Sequence, residues 1–100
     1  MFVALSKFEV KTDAMAEQVK DAFLGRPHLV EDAPGFVRLD VISPCENRKE
    51  IWLITYWGER EDYTAWHKSH LYHESHAGIP ARLKLNASVT NVSFFEHIAS

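Results

Sequence analysis

The chain has 100 residues, of which 46% are hydrophobic and 25% charged, enough for one domain over residues 1–100 with little room for a second core. Its formal net charge is −3, and its Lys and Arg residues are scattered, so no nucleic-acid-binding surface is predicted. No apolar run is long enough to predict a bilayer-spanning segment. Cys45 is the single cysteine and the N-terminus lacks a signal-peptide pattern, which together indicate a cytoplasmic protein without an internal disulfide.

The first third of the chain is typical of a strand followed by a helix. Residues from Phe2 to Val10 are rich in β-forming types, which predicts a strand with Phe2, Ala4, Ser6 and Phe8 on one face. Thr12 or Asp13 can cap a helix. Apolar residues then recur at helical spacing at Met15, Val19, Ala22 and Phe23. Arg26-Pro27 interrupts that pattern, and a second helical stretch is predicted through Leu29 and Val30.

The middle of the chain predicts two strands. Ala33-Pro34-Gly35 is typical of a turn, and Phe36 to Ile42 alternates well enough for a strand. After a connection, the run from Ile51 to Trp57 is continuously apolar and aromatic. Such a run predicts a central strand that is covered on both faces.

The last third predicts a second helix and a final strand. The helix is expected from Glu59 to His73 or beyond, with a break at Gly78-Ile79-Pro80, and the strand from Val89 to Ile98. The order β-α-β-β-α-β predicts an α+β, ferredoxin-like domain, with two helices on one face of a four-stranded antiparallel sheet. Because the other face also carries apolar residues, we expect two chains to pack sheet to sheet as a homodimeric barrel.

Four histidines follow one another in steps of three, at His67, His70, His73 and His76. On a helix, residues three apart are offset by about 60°, so the four imidazoles cannot converge on one ion. A zinc site built from two of them stays open. A single imidazole would suffice for haem, which needs an apolar slot and one neutral nitrogen on its iron.

Several motifs in this chain resemble those of the antibiotic biosynthesis monooxygenase superfamily, and within it the Isd-type haem-degrading monooxygenases. The turn Pro34-Gly35-Phe36 and the strand end Thr55-Tyr56-Trp57 match the superfamily pattern. The helical segment from Tyr63 through Trp66 to Lys68-Ser69 matches the haem-degrading type. His76, ten residues beyond Trp66 and followed by Ala77, completes that match.

The resemblance implies that haem is both substrate and cofactor, with electrons from an external donor. His76 would ligate the iron, and Trp66 would press the porphyrin out of plane. Ser6 occupies the position of an asparagine that in relatives can hydrogen-bond on the opposite side of the iron; a hydroxyl can donate there, but it is shorter. Arg26 is a candidate for neutralising a haem propionate, as are Lys68 and Arg82.

Two other functions remain open from the sequence. The chain could be a cofactor-free monooxygenase of quinols or polyketides, or a haem-binding protein without enzymatic activity, which the serine at position 6 would favour. His76 could equally serve the dipole of a nearby helix end, and Trp66 could be a core residue. We expect five other aromatic residues to lie in the core: Phe8, Phe23, Trp52, Trp57 and Phe95.

Overall fold

A computed structural model describes residues 1–25, 30–69 and 91–100 of the chain. The elements follow the predicted order. They are β1 (Phe2–Glu9), α1 (Asp13–Leu24), a short 3₁₀ helix (Val30–Asp32), β2 (Phe36–Ile42), β3 (Glu50–Trp57), α2 (Arg60–Lys68) and β4 (Asn91–Glu96). The predicted α+β, ferredoxin-like fold is confirmed.

The four strands form one sheet in the order β2-β3-β1-β4, and all three pairings are antiparallel. The first and third strands are therefore the inner pair, as the continuous apolar run predicted for β3. Their register places Phe2 opposite Trp57 and Phe8 opposite Ile51. Between Phe36 and Arg38 the β2–β3 register shifts, so one extra residue of β2 forms a bulge there.

One face of the sheet, which we call the helix face, carries both helices in the described part of the chain. Two hydrophobic clusters lie there because alternate residues of a strand point to the same side. In the first, Ala16 and Val19 of α1 pack with Val10 and Ile51. In the second, Trp66 of α2 packs with Val30 and Trp57.

The first helix begins where the sequence indicated. The hydroxyl of Thr12 accepts a hydrogen bond from the backbone N–H of Met15 at 3.1 Å, which satisfies one of the unpaired donors of the first turn. Thr12 therefore is the capping residue, and Asp13 is the first residue of the helix.

The opposite face, which we call the open face, carries the other set of alternate side chains. The two inner strands contribute Val3, Leu5, Lys7, Trp52, Ile54 and Tyr56, all of which are partly exposed. Two cations rest on rings there: the Lys7 Nζ lies 4.2 Å from the Trp52 ring centroid, and the Arg38 guanidinium lies 4.7 Å from that of Tyr56. The open face is thus an apolar and aromatic surface with a few charges.

Two predictions about local structure were wrong. Helix α2 ends at Lys68, so the predicted helix does not run unbroken to His73; residues 70–73 themselves lie outside the described part of the chain. The Ser69 N–H and hydroxyl both donate to the Trp66 carbonyl, at 3.0 and 2.7 Å. A serine that bonds the backbone of the preceding turn competes with helix continuation. Phe95 and Trp52 are not core residues of the single chain. Both lie on the open face, where Phe95 is 49% exposed and Trp52 is partly exposed.

Within residues 1–25, 30–69 and 91–100, no helix is both long and apolar enough to cross a membrane.

Candidate active site

Ser6 lies on the helix face of β1, in a gap between the two hydrophobic clusters. Along the strand, Phe2 packs against the cluster of α2 and Phe8 against the cluster of α1. Ser6 stands between them, opposite Leu53 of β3 and Val92 of β4 in the sheet register. It is partly exposed, so its hydroxyl is a polar group on an otherwise apolar stretch of this face.

Trp66 lies on α2 and is 7% exposed. It packs with Val30 and with Trp57, which has no exposed surface. Trp57 is itself fixed, because its Nε1 donates to the Thr55 hydroxyl at 2.9 Å and the Phe36 ring packs edge-on against it with centroids 5.5 Å apart. Trp66 therefore rests against a rigid support, on the same side of the sheet as Ser6.

Tyr63 belongs to this group of aromatic side chains, a role that sequence reasoning missed. Its ring centroid lies 5.5 Å from those of Phe2 and Phe94, 6.0 Å from that of Trp57 and 4.2 Å from that of His67. The available signal was spacing: Tyr63 precedes Trp66 by three residues, so both lie on neighbouring parts of one helix surface.

The start of α2 is fixed by contacts among three residues, Gly35, Gly58 and Asp62, which we call the α2 clamp. The Gly58 N–H donates to the Gly35 carbonyl at 2.7 Å, and the Asp62 carboxylate accepts from the Glu59 N–H at 3.1 Å. Gly35 has a φ of +80°, and a Cβ added to it would overlap the Asp62 side chain. The glycine of the Pro-Gly-Phe turn is thus required twice, for its backbone conformation and for space.

A shallow groove of about 410 Å³ lies at the end of the sheet where α2 begins. The Arg60 guanidinium stands over two of its rings, 5.7 Å from the Phe2 centroid and 5.6 Å from that of Phe94. Neither Ser6 nor Trp66 lines this groove, so it is separate from the predicted site.

Of the four predicted site residues, the structure brings Ser6 and Trp66 to one face of the sheet. His76 and Arg26 lie outside the described residues. The same holds for His70 and His73, and of the row of four histidines only His67 is described. The described residues therefore supply the aromatic ring of Trp66 and the hydroxyl of Ser6. The roles of the His76 imidazole and the Arg26 guanidinium stay predictions from the sequence.

The four-stranded antiparallel sheet with both helices on one face defines a ferredoxin-like protein. Residues 1–78 match the family model described as antibiotic biosynthesis monooxygenase. The chain therefore belongs to the antibiotic biosynthesis monooxygenase family, as its Pro-Gly-Phe and Trp57 motifs indicated.

Known proteins with similar sequence include haem oxygenases. The mycobilin-producing haem oxygenase of Mycobacterium tuberculosis is 31% identical over 64 residues, which are 64% of this chain and 60% of that protein. The match thus spans about three fifths of the length of these curated relatives.

Solved structures resemble this one over nearly its whole length. The haem degrader MhuD of Mycobacterium tuberculosis, with two haems bound in its active site, has a TM-score of 0.76 at 25% identity, covering 100% of this chain and 98% of that one. SnoaB, a cofactor-independent oxygenase of Streptomyces nogalater, has a TM-score of 0.74 at 11% identity, covering 99% of this chain and 94% of that one. Since proteins with different chemistry share it, the fold alone does not decide the function.

Proposed function

We propose that this protein is a haem-degrading monooxygenase, which binds haem through His76 and opens the porphyrin ring with dioxygen and electrons from an external donor. The observation that carries the proposal is the location of Trp66 and Ser6 on one face of the sheet, in a member of a monooxygenase family with haem-degrading relatives. The available groups suit haem: an imidazole for iron, an aromatic wall for the porphyrin and a hydroxyl for a polar ligand.

Each proposed site residue has a distinct task. His76 holds the iron with a neutral imidazole nitrogen. Trp66, supported by Trp57 and Val30, would form the wall of the haem site, where its packing could hold the bound porphyrin in a strained shape. Ser6 donates a hydrogen bond, directly or through water, on the side opposite His76, and Arg26 pairs with a propionate.

Haem supplies the iron that activates dioxygen and is also the molecule that is oxidised. What the chain contributes is orientation and exclusion of water. Apolar clusters lie on both sides of Ser6. Its hydroxyl is therefore the polar side chain that β1 would offer to haem from the described part of the helix face. Such positioning would favour oxidation at one part of the ring over others.

We further propose a homodimer in which the open faces of two chains pack together. The partly exposed side chains of Leu5, Ile54 and Tyr56, together with Phe95 and Ile42 at 49% and 46% exposure, form the apolar surface that such an interface would bury. Face-to-face packing of two sheets buries a layer of this kind. It leaves both helix faces, and hence both haem sites, on the outside of the barrel.

The experiment that tests the proposed function is a hemin titration of the purified protein followed by absorbance. We expect a saturable Soret band in the wild type, its loss or a large shift in His76→Ala, and an unchanged band in His97→Ala as the matched control. Addition of ascorbate under air should then bleach the Soret band. Equal spectra for the wild type and His76→Ala would refute the assignment of the ligand.

The same titration distinguishes the other two functions. A stable Soret band under ascorbate and oxygen would indicate a haem-binding protein without degrading activity. Absence of hemin binding, together with oxygen uptake in the presence of an aromatic phenol, would indicate a cofactor-independent monooxygenase. Either result would overturn the proposed function.

A further inference from the structure

Asp62 supplies the carboxylate of the α2 clamp, one helical turn before Trp66, and forms a reciprocal capping box with Glu59. Its Oδ2 accepts a hydrogen bond from the Glu59 N–H at 3.1 Å, so it ties down the residue that precedes α2. Its side chain also fills the space beside Gly35 that a larger residue would need. Asp62 is partly buried, whereas its neighbour Glu61 is exposed.

The clamp joins three parts of the fold at one point. Gly35 lies in the turn that leads into β2, Gly58 directly follows β3, and Asp62 lies in the first turn of α2. The 2.7 Å hydrogen bond from Gly58 to Gly35 links the first two, and the Asp62 side chain packs against Gly35 to link the third. With only nine residues in α2, fixing its first turn sets the position of the residue one turn later.

We infer that Asp62 is a positioning residue for Trp66: it sets where α2 starts and thereby how far the Trp66 ring projects on the helix face. Residues four apart lie one above the other on a helix, so a shift or rotation at Asp62 is passed on directly to Trp66. The inference extends the proposed function, because it assigns to the clamp the task of setting the porphyrin wall.

The first test needs no haem. The protein is labelled with 5-fluorotryptophan, which gives three ¹⁹F resonances for its three tryptophans, and the Trp66 resonance is assigned with Trp66→Phe. We expect Asp62→Ala to shift or broaden the Trp66 resonance while that of Trp52, on the open face, stays in place. Asp62→Asn keeps an acceptor oxygen of the same shape and should restore the wild-type spectrum, and the exposed-neighbour control Glu61→Ala should not change it.

A double-mutant cycle tests the contact with Gly35 itself. Gly35→Ala places a Cβ against Asp62 at a positive φ, so we expect the melting temperature to fall by about 10 °C. In an Asp62→Ala background the overlap with the carboxylate is gone, whereas the close approach to the Asp62 Cβ and the backbone penalty remain. The same change should therefore cost less there, about 7 °C. Equal losses in both backgrounds would show that the contact does not exist, whatever the protein does with haem.

The second readout is catalytic and distinguishes positioning from general destabilisation. If hemin is degraded, Asp62→Ala should lower the rate of Soret bleaching about tenfold, since small displacements of a positioned group are costly. Its hemin Kd should stay within about threefold, because the iron ligand is untouched, and Asp62→Asn should recover the rate. The inference is overturned if Asp62→Ala leaves the Trp66 resonance in place and bleaches hemin at the wild-type rate. Failure of the wild type to bind hemin would refute only the proposed function.

Discussion

The open face offers a prediction whose size follows from the structure. Ile54 lies at its centre, on the inner strand β3, opposite Leu5 of β1 and Asp40 of β2. We expect Ile54→Lys to convert a dimer into monomers. The new ammonium would stand beside the Asp40 carboxylate, which already pairs with Arg38 at 2.7 Å. Because position 54 is partly exposed in the single chain, that chain should tolerate the lysine.

The expected loss of dimer affinity can be worked out per copy. Ile54 is already partly buried in one chain, so the interface adds about 1 kcal/mol of apolar burial. Removing the lysine ammonium from water costs at least about 1 kcal/mol more, even when the side chain extends toward solvent. A two-fold interface contains the residue twice, so the total is about 4 kcal/mol, roughly a thousandfold in Kd.

Sedimentation velocity over a range of concentrations is the assay, with circular dichroism melting as the check on folding. Leu24→Lys is the matched control, because Leu24 is a 73% exposed apolar residue at the end of α1 rather than on the sheet. We expect the wild type and Leu24→Lys to sediment with twice the mass of one chain. An Ile54→Lys protein that stays dimeric at the same concentrations would refute the proposed interface.

Two further substitutions test the helix face. Trp57→Phe removes the indole N–H of a fully buried residue that donates to Thr55. We expect the free energy of unfolding, measured by urea titration, to fall by about 2 kcal/mol. A loss below about 0.5 kcal/mol would contradict the supporting role given to Trp57. Ser6→Ala should slow Soret bleaching about two- to tenfold, which corresponds to the loss of one hydrogen bond, and should leave the hemin Kd unchanged. Ser6→Asn should restore or exceed the wild-type rate. Identical rates in all three proteins would show that Ser6 is not part of the site.

Elements whose signals are local were predictable from the sequence. The signals for β1, β3 and the start of α1 are the β-forming residues, the apolar run and Thr12. Each depends on neighbouring residues, and each element was found close to the predicted place. The end of α2 was not predictable in the same way. Its polar pattern continues past Lys68, but the two hydrogen bonds from Ser69 to the Trp66 carbonyl end the helix there, and spacing does not reveal which competitor wins.

Contacts between distant parts of the chain explain what the sequence could not supply. Pro34-Gly35-Phe36 was recognised as a motif, but its reason, the Asp62 side chain in the space beside Gly35, depends on the fold. Phe95 is a large apolar residue of the kind that usually lies in a core, but the register of β4 places it on the open face. The roles of Ser6 and Trp66 were predicted from resemblance. That both lie on the same face of the sheet is seen only from the strand register and the helix packing.

Iron release is the most direct measurement of the central claim that the helix face holds haem for its own oxidation. Protein loaded with one equivalent of hemin is treated with ascorbate under air, while the Soret band and the capture of ferrous iron by a chromogenic chelator are followed together. We predict that the wild type loses its Soret band with release of close to one equivalent of iron. Trp66→Leu keeps the proposed iron ligand and should still bind hemin, but it should lose the band far more slowly. A Soret band that persists in the wild type, or bleaching at the same rate in both proteins, would contradict the account.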